Sequence, residues 1–149
     1  MSWSDAVEEA LCFGWIDSKR QAVDATTFRQ FFSKRKARSL WSGINKAKVQ
    51  QLISGGLMTR LGFEAIENAK KNGSWTTLDE VEKLTIPADL DIAFRKIKNA
   101  KKYFLSLSRS NKRIMLQWVA LAKRPETRQK RIDEIAKLAG QNSKPKQFE

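Results

Sequence analysis

Apolar and polar residues alternate along this chain mostly with a period of three to four, the spacing of helices that bury one face. Near the start, Ala6, Ala10 and Phe13 share one side, with Val7 and Leu11 beside them. Ser2 or Ser4 can cap this helix, Asp5, Glu8 and Glu9 suit its positive end, and Gly14 suits its stop. Trp15-Ile16 and the stretch from Thr26 to Phe32 instead have strand composition and predict a two-stranded hairpin. Helical spacing returns at Val49, Leu52 and Ile53, entered from Ser39 to Asn45 and ended by Gly55-Gly56. Thr59 caps a following helix striped by Leu61, Ala65 and Ala69, with Ile66 beside them, and Asn72-Gly73 ends it.

Residues 75–84 are ambiguous: Thr76, Thr77 and Asp79 offer a cap and one further helical turn. Pro87 marks a boundary, and a helix over 88–98 turns Leu90, Phe94 and Ile97 inward. Asn99 is read as the cap of a short helix with Tyr103, Phe104 and Leu107. Ser108 or Ser110 opens another, whose apolar face is Ile114, Met115, Trp118, Val119 and Ala122. Pro125 fits the first position of the last helix, where Ile132, Ile135, Ala136 and Ala139 face inward and Gly140 ends the run. The expected fold is mainly α with a small N-terminal β element (α+β), about six or seven helices and a helical C-terminal region. The expected organisation is an N-terminal helix plus hairpin over 1–38, a helical domain over 39–139, and a polar flexible tail over 140–149.

Composition narrows the chemistry. The chain has 149 residues, no histidine and one cysteine, yet 29 Lys+Arg stand against 16 Asp+Glu, a formal charge of +13. Without His, Cys12 lacks the usual partner of a nucleophilic thiol and reads as a buried structural residue. His- or Cys-based metal sites are excluded within one chain, no cofactor motif is present, and no catalytic residue is assigned. No run approaches the roughly 18 apolar residues of a membrane helix, and the opening residues lack a secretory pattern. An integral membrane segment is therefore not expected, and the expected location is cytoplasmic. The positive charge directs attention to anionic partners, nucleic acid among them, or serves solubility.

Three places gather candidate chemistry. Arg35, Lys36 and Arg38 precede Trp41, Ser42 and Asn45 at a helix start, where free N–H groups and basic side chains can hold an anion. The competing reading is a capped helix with Trp41 in the core and a solvated basic loop. Lys123, Arg124, Arg128 and Arg131 form a second group; the three arginines fall at i, i+4 and i+7, which presents three guanidinium groups on one face unless acidic neighbours engage them. The stretch Arg95, Lys96, Lys98, Lys101 and Lys102 carries the same ambiguity. Finally, Trp15, Asp17 and Trp41, with Arg38, would form a pocket if the fold gathers them, and a carboxylate there can act as a base. Asp17 reads equally as a turn residue. Trp75, Tyr103, Phe104 and Trp118 read as core rather than as a stacking platform.

Several phrases in order carry a resemblance. They are Glu9-Ala10-Leu11-Cys12-Phe13-Gly14-Trp15-Ile16-Asp17, then Arg38-Ser39-Leu40-Trp41-Ser42, then Gly73-Ser74-Trp75, then Ala122-Lys123-Arg124-Pro125-Glu126-Thr127-Arg128 followed by Arg131-Ile132. Together they resemble the YdeI/OmpD-associated family of bacterial bacteriocin-protection proteins, over a span from about Val7 to Leu138. Arg60 departs from the family, which often has Pro after the Thr59 position. The resemblance also implies a preceding segment with a strand, so a shortened member would leave a strand edge open to a second copy. It implies protection against bacteriocins or antimicrobial peptides, an envelope-associated partner, and no established reaction. Periplasmic association comes from the family label alone. The expected function is a non-enzymatic protective or adaptor protein that binds an anionic or envelope-associated partner. The alternatives are a basic nucleic-acid-binding module and an enzyme with a carboxylate/Arg pocket.

Overall fold

The computed structural model describes all residues, Met1–Glu149. It contains eight α-helices, one or two more than the periodicity suggests, and one two-stranded antiparallel sheet. The chain divides into two compact units, Met1–Thr77 and Leu78–Glu149.

In the first unit, α1 (Trp3–Cys12) is capped by Ser2, whose hydroxyl accepts from Asp5 N while the Asp5 carboxylate accepts from Ser2 N. Ser4 instead contacts Glu8 and Lys48. The buried face of α1 is Val7, Leu11 and Cys12; Ala6 and Ala10 are half-buried and Phe13 is exposed, so the inward side lies beside the one expected. A turn at Gly14 leads into β1 (Trp15–Ala22), which pairs with β2 (Phe28–Lys34). Trp15 faces Lys34 and Asp17 faces Phe32; Arg20 then faces Gln30, so β1 carries one extra residue between Asp17 and Arg20. Asp24 closes the tip, accepting from Thr26 N and Thr27 N at 2.8 Å each.

Helices α2 (Gly43–Ser54) and α3 (Arg60–Asn72) complete this unit, capped by Ser42 and Thr59. Val49 and Leu52 of α2, Ile66 and Ala69 of α3, and Trp41 close on Val7, Leu11 and Cys12 as a single core. Ile53 and Leu61, expected inside, lie at the surface. Thr59 Oγ1 donates to Cys12 O at 2.5 Å, which ties the start of α3 to the end of α1. Gly62 makes that approach feasible, since a Cβ there would sit 2.5 Å from Cys12 O.

The second unit holds α4 (Asp79–Glu82), α5 (Ala88–Arg95), α6 (Ala100–Ser106), α7 (Arg109–Ala120) and α8 (Pro125–Gly140), then a 3-10 helix at Lys146–Phe148. The ambiguous stretch at 75–84 resolves into turns and the single turn of α4. Asn99 does stand at the start of α6, but with φ 65° and no side-chain cap bond, so it bends the chain rather than capping it. Leu90, Phe94, Ala100, Phe104, Met115, Leu116, Val119, Ile132, Ile135, Ala136 and Ala139 are buried. Ile114 is exposed and Leu116 takes the inward place on α7. Residues 140–149, read as a polar tail, include a buried Pro145, and the Phe148 ring meets Trp118 edge-on at 5.5 Å.

Candidate functional site

The site with the least ordinary chemistry lies in the first unit, around Arg35. The strand β2 delivers this residue, and its backbone N–H donates to Gly14 O at 3.0 Å. Gly14 adopts φ +73°, and a Cβ there would stand 3.0 Å from Ala65 Cβ, so the turn and α3 need this glycine. Beyond Arg35 the chain folds back tightly. Lys36 N donates to Ser39 Oγ at 3.0 Å, and Ser39 N returns a bond to Lys36 O at 2.9 Å. Asn72 Nδ2 donates to Ala37 O at 2.5 Å, pinning the loop to the end of α3. The loop then places Leu40 O and the Trp41 ring around the arginine head.

Arg35 is only 9% exposed. Its guanidinium lies 3.6 Å from the centre of the buried Trp41 ring, and Nη1 donates to Leu40 O at 2.9 Å. Nε and Nη2 are buried and have no hydrogen-bond partner. A buried donor without an acceptor costs about 1–3 kcal/mol, so such an arrangement calls for an explanation. Burial pulls the Arg35 pKa down to about 10, and the Asp17 carboxylate opposes the shift. Trp41 also packs against Trp75, with ring centres 5.0 Å apart.

Arg35 lines a cleft of about 180 Å³ together with Phe13, Gly14, Lys34, Lys36, Ala37, Trp41, Leu61, Glu64, Ala65 and Asn68. Lys34 and Lys36 are exposed, so the cleft combines a basic rim with an apolar wall. Glu64 also pairs loosely with Arg60, at 3.6 Å across an exposed turn of α3.

The other sequence candidates fall as follows. Arg38 is exposed and does not line the cleft. Ser42 caps α2, its hydroxyl accepting from Asn45 N at 3.2 Å, so that hydroxyl serves the fold. Trp15, 42% exposed, borders a separate apolar groove with Ala10, Phe13, Phe32 and Leu61. Asp17 lines neither space. Thus Trp41 belongs to the Arg35 cleft, while Trp15, Asp17 and Arg38 do not join it there. Cys12 is buried, and burial followed by the charges of Glu9 and Glu8 pushes its thiol pKa up, away from reactivity.

In the second unit, the expected arginine face is largely spoken for. Arg128 grips Asp89 with two bonds, Nε to Oδ2 at 2.7 Å and Nη2 to Oδ1 at 3.0 Å, and its Nη1 donates to Val119 O at 3.3 Å. This pairing holds the Asp89 carboxyl below its usual range and raises Arg128. Arg131 donates to Trp118 O at 2.5 Å and lies 5.0 Å from the Trp118 ring. Arg124 and Lys123, at the entrance to α8, are exposed and form no ion pair. Among the lysines of the third basic stretch, Lys101 pairs with Asp91 at 2.6 Å.

The sequence marks Arg35 as an anion-binding candidate, with a solvated loop as the competing reading, and gives no role to Glu64 or Asn68. A signal for the latter existed: both lie on α3 at helical spacing beside Leu61 and Ala65, next to the stripe already recognised. For Arg35 no local pattern announces burial, because the fold-back that brings Leu40 and Trp41 over it is set by contacts with the Gly14 turn and α3, which are distant in sequence.

Comparison with known proteins adds the family. Residues 1–65 match a family model described as a domain of unknown function (DUF8412). Residues 83–142 match the model described as bacteriocin-protection, YdeI or OmpD-associated, a shorter stretch than the one carrying the resemblance in the sequence. Nothing among the curated proteins and nothing among the solved structures matches the chain. Residues 83–142 are therefore similar to the YdeI/OmpD-associated family.

Proposed function

We propose that this protein is a non-enzymatic adaptor of the bacteriocin-protection type that works by binding an anionic partner, with the Arg35 cleft as the seat of a charged group of that partner. The supporting observation is Arg35 itself: a residue that borders a cleft and whose Nε and Nη2 are buried without a hydrogen-bond partner. Lys34 and Lys36 at the rim, within a chain of net charge +13, favour the approach of an anion. The same charge repels cationic peptides, so protection by direct sequestration of them is disfavoured, and an envelope-associated or other anionic partner fits better. No helix is long and apolar enough to cross a membrane.

A nucleic-acid-binding role is the second reading, favoured by exposed unpaired cations such as Arg38, Lys123 and Arg124. Fluorescence anisotropy separates the two. A labelled acidic peptide and a labelled mixed-sequence duplex are each titrated with protein from low to physiological salt. Peptide binding that survives physiological salt and weakens in Arg35→Met supports the adaptor reading. Duplex binding that survives, untouched by Arg35→Met, replaces it with the nucleic-acid reading, because phosphate contacts alone fade steeply with salt.

A further inference from the structure

We infer that the Arg35 cleft is a receptor for a carboxylate group. The inference rests on the anion-binding reading above and names the chemical class of the ligand. Nε and Nη2 are the two donors along one edge of a guanidinium, spaced to meet the two oxygens of one planar oxyanion. In Arg35 these two are the unmatched atoms, while Nη1 is taken by Leu40 O.

The same chain contains the completed version of this arrangement. Arg128 also spends Nη1 on a backbone carbonyl, that of Val119, and its Nε and Nη2 receive the two oxygens of Asp89. Arg35 reproduces every part of that pattern except the carboxylate. The protein's own acids do not supply it: Asp17 acts on Arg35 through its charge, and neither it nor Glu64 makes a hydrogen bond to the Nε and Nη2 edge.

The lining of the cleft favours a carboxylate over a phosphate. Phe13, Leu61 and Ala65 offer an apolar wall for a short hydrocarbon stem. Glu64 borders the same space and opposes a second negative charge on the ligand. One guanidinium edge satisfies the two oxygens of a carboxylate, whereas a phosphate would keep further oxygens in a cleft walled partly by carbon. The volume of about 180 Å³ is enough for a carboxylate with a few carbons behind it. A chain end and an aspartate or glutamate side chain both present that chemistry.

The test follows the arginine Nε–H resonances of the full-length protein by NMR at constant ionic strength and pH 7. Sodium acetate and inorganic phosphate are titrated separately, and Arg128 Nε–H serves as an internal control. The expected result is a saturable shift of Arg35 Nε–H with acetate, at several-fold lower concentration than with phosphate, while Arg128 Nε–H stays still. N-acetylleucine and the α-amide of N-acetylaspartic acid then distinguish a chain-end from a side-chain carboxylate; tighter saturation by either supports the inference and assigns the source. Phosphate acting alone, or more tightly than acetate, overturns the carboxylate assignment and leaves the anion reading standing. Silence of Arg35 Nε–H toward every anion overturns both. Arg35→Lys keeps the charge and removes the two-donor edge, so the acetate response, read on the Ala65 and Asn68 amides, should fall several-fold. An undiminished response in that variant means that the edge is not the receptor.

Discussion

Replacing Arg35 by Met tests whether its two-donor edge is empty in the free protein. Burial lowers the Arg35 pKa to about 10, and the gap to the ordinary arginine range corresponds to roughly 3 kcal/mol at 1.36 kcal/mol per tenfold. The charged form is the one that folding disfavours. That cost is therefore fully present at every pH below about 10, and it shrinks only as pH rises from there toward the ordinary arginine range. Met fills much of the same space without the charge and removes the cost. It also removes the bond to Leu40 O, worth about 1.5–3 kcal/mol for a charged donor. The stacking on Trp41 adds about 0.5–2 kcal/mol to the loss. Gain and loss nearly cancel, so Arg35→Met should lie within about 2 kcal/mol of the parent. Chemical denaturation followed by circular dichroism at neutral pH measures this, with Asp17→Asn and the double variant completing a cycle. A loss of 3–5 kcal/mol would place Arg35 in a closed internal pair and refute the empty edge. So would a coupling above about 1 kcal/mol between Arg35 and Asp17.

Other expectations follow from packing and capping. Trp41 is 1% exposed in the core, so Trp41→Ala should cost roughly 3–5 kcal/mol in the same denaturation assay; a near-neutral change would contradict its core placement. Gly62→Ala drives a methyl to 2.5 Å from Cys12 O, and the α1–α3 contact should weaken by about 1–3 kcal/mol in spite of the better helix propensity of Ala, as urea unfolding would show. Asp24 is held at a pKa of about 2 by the Thr27 hydroxyl, with the Thr26 and Thr27 amides adding to it. Its support for the hairpin tip is present above the ordinary aspartate range and is lost as pH falls toward 2. An NMR titration of its side chain should show that midpoint, and a value near 4 would mean that the tip is not closed.

Much of the fold was legible because each helix carries its own punctuation. Ser2, Ser42, Thr59 and Ser108 cap where a hydroxyl before an apolar run suggests, and Pro125 opens α8. The α+β class follows from the change to strand composition at Trp15 and from Phe28 to Phe32. The errors lie where two faces compete. On α1, Ala6-Ala10-Phe13 and Val7-Leu11-Cys12 are adjacent stripes, and the contacts with α2 and α3 select the second. On α7, Leu116 replaces Ile114 for the same reason. The site was less legible. Spacing put Arg128 and Arg131 on one face of α8 but could not show Asp89 or the Trp118 carbonyl waiting for them, since both come from other helices.

Both arginine groups are candidates by sequence, and the fold treats them differently. Arg128 is expected on an arginine face set by helical spacing, yet its edge donors are satisfied by Asp89 within the fold, and the pair is an ion bridge at a partly exposed helix contact. Arg35 is expected, with Lys36 and Arg38, to hold an anion beside a helix start, and it is the one whose edge donors stay unmet after burial. A guanidinium turned outward from the loop would be solvated, as Lys34, Lys36 and Arg38 are, and would carry no such cost. Here the turn at Gly14, the bond to Leu40 O and the Trp41 ring all hold it in place instead. Unmet donors held by several independent restraints are the mark of a preorganised receptor, because most of the ordering cost of binding falls on the fold before a ligand arrives. On the proposed reading, the basic surface draws many anions near and the Arg35 edge selects among them by shape.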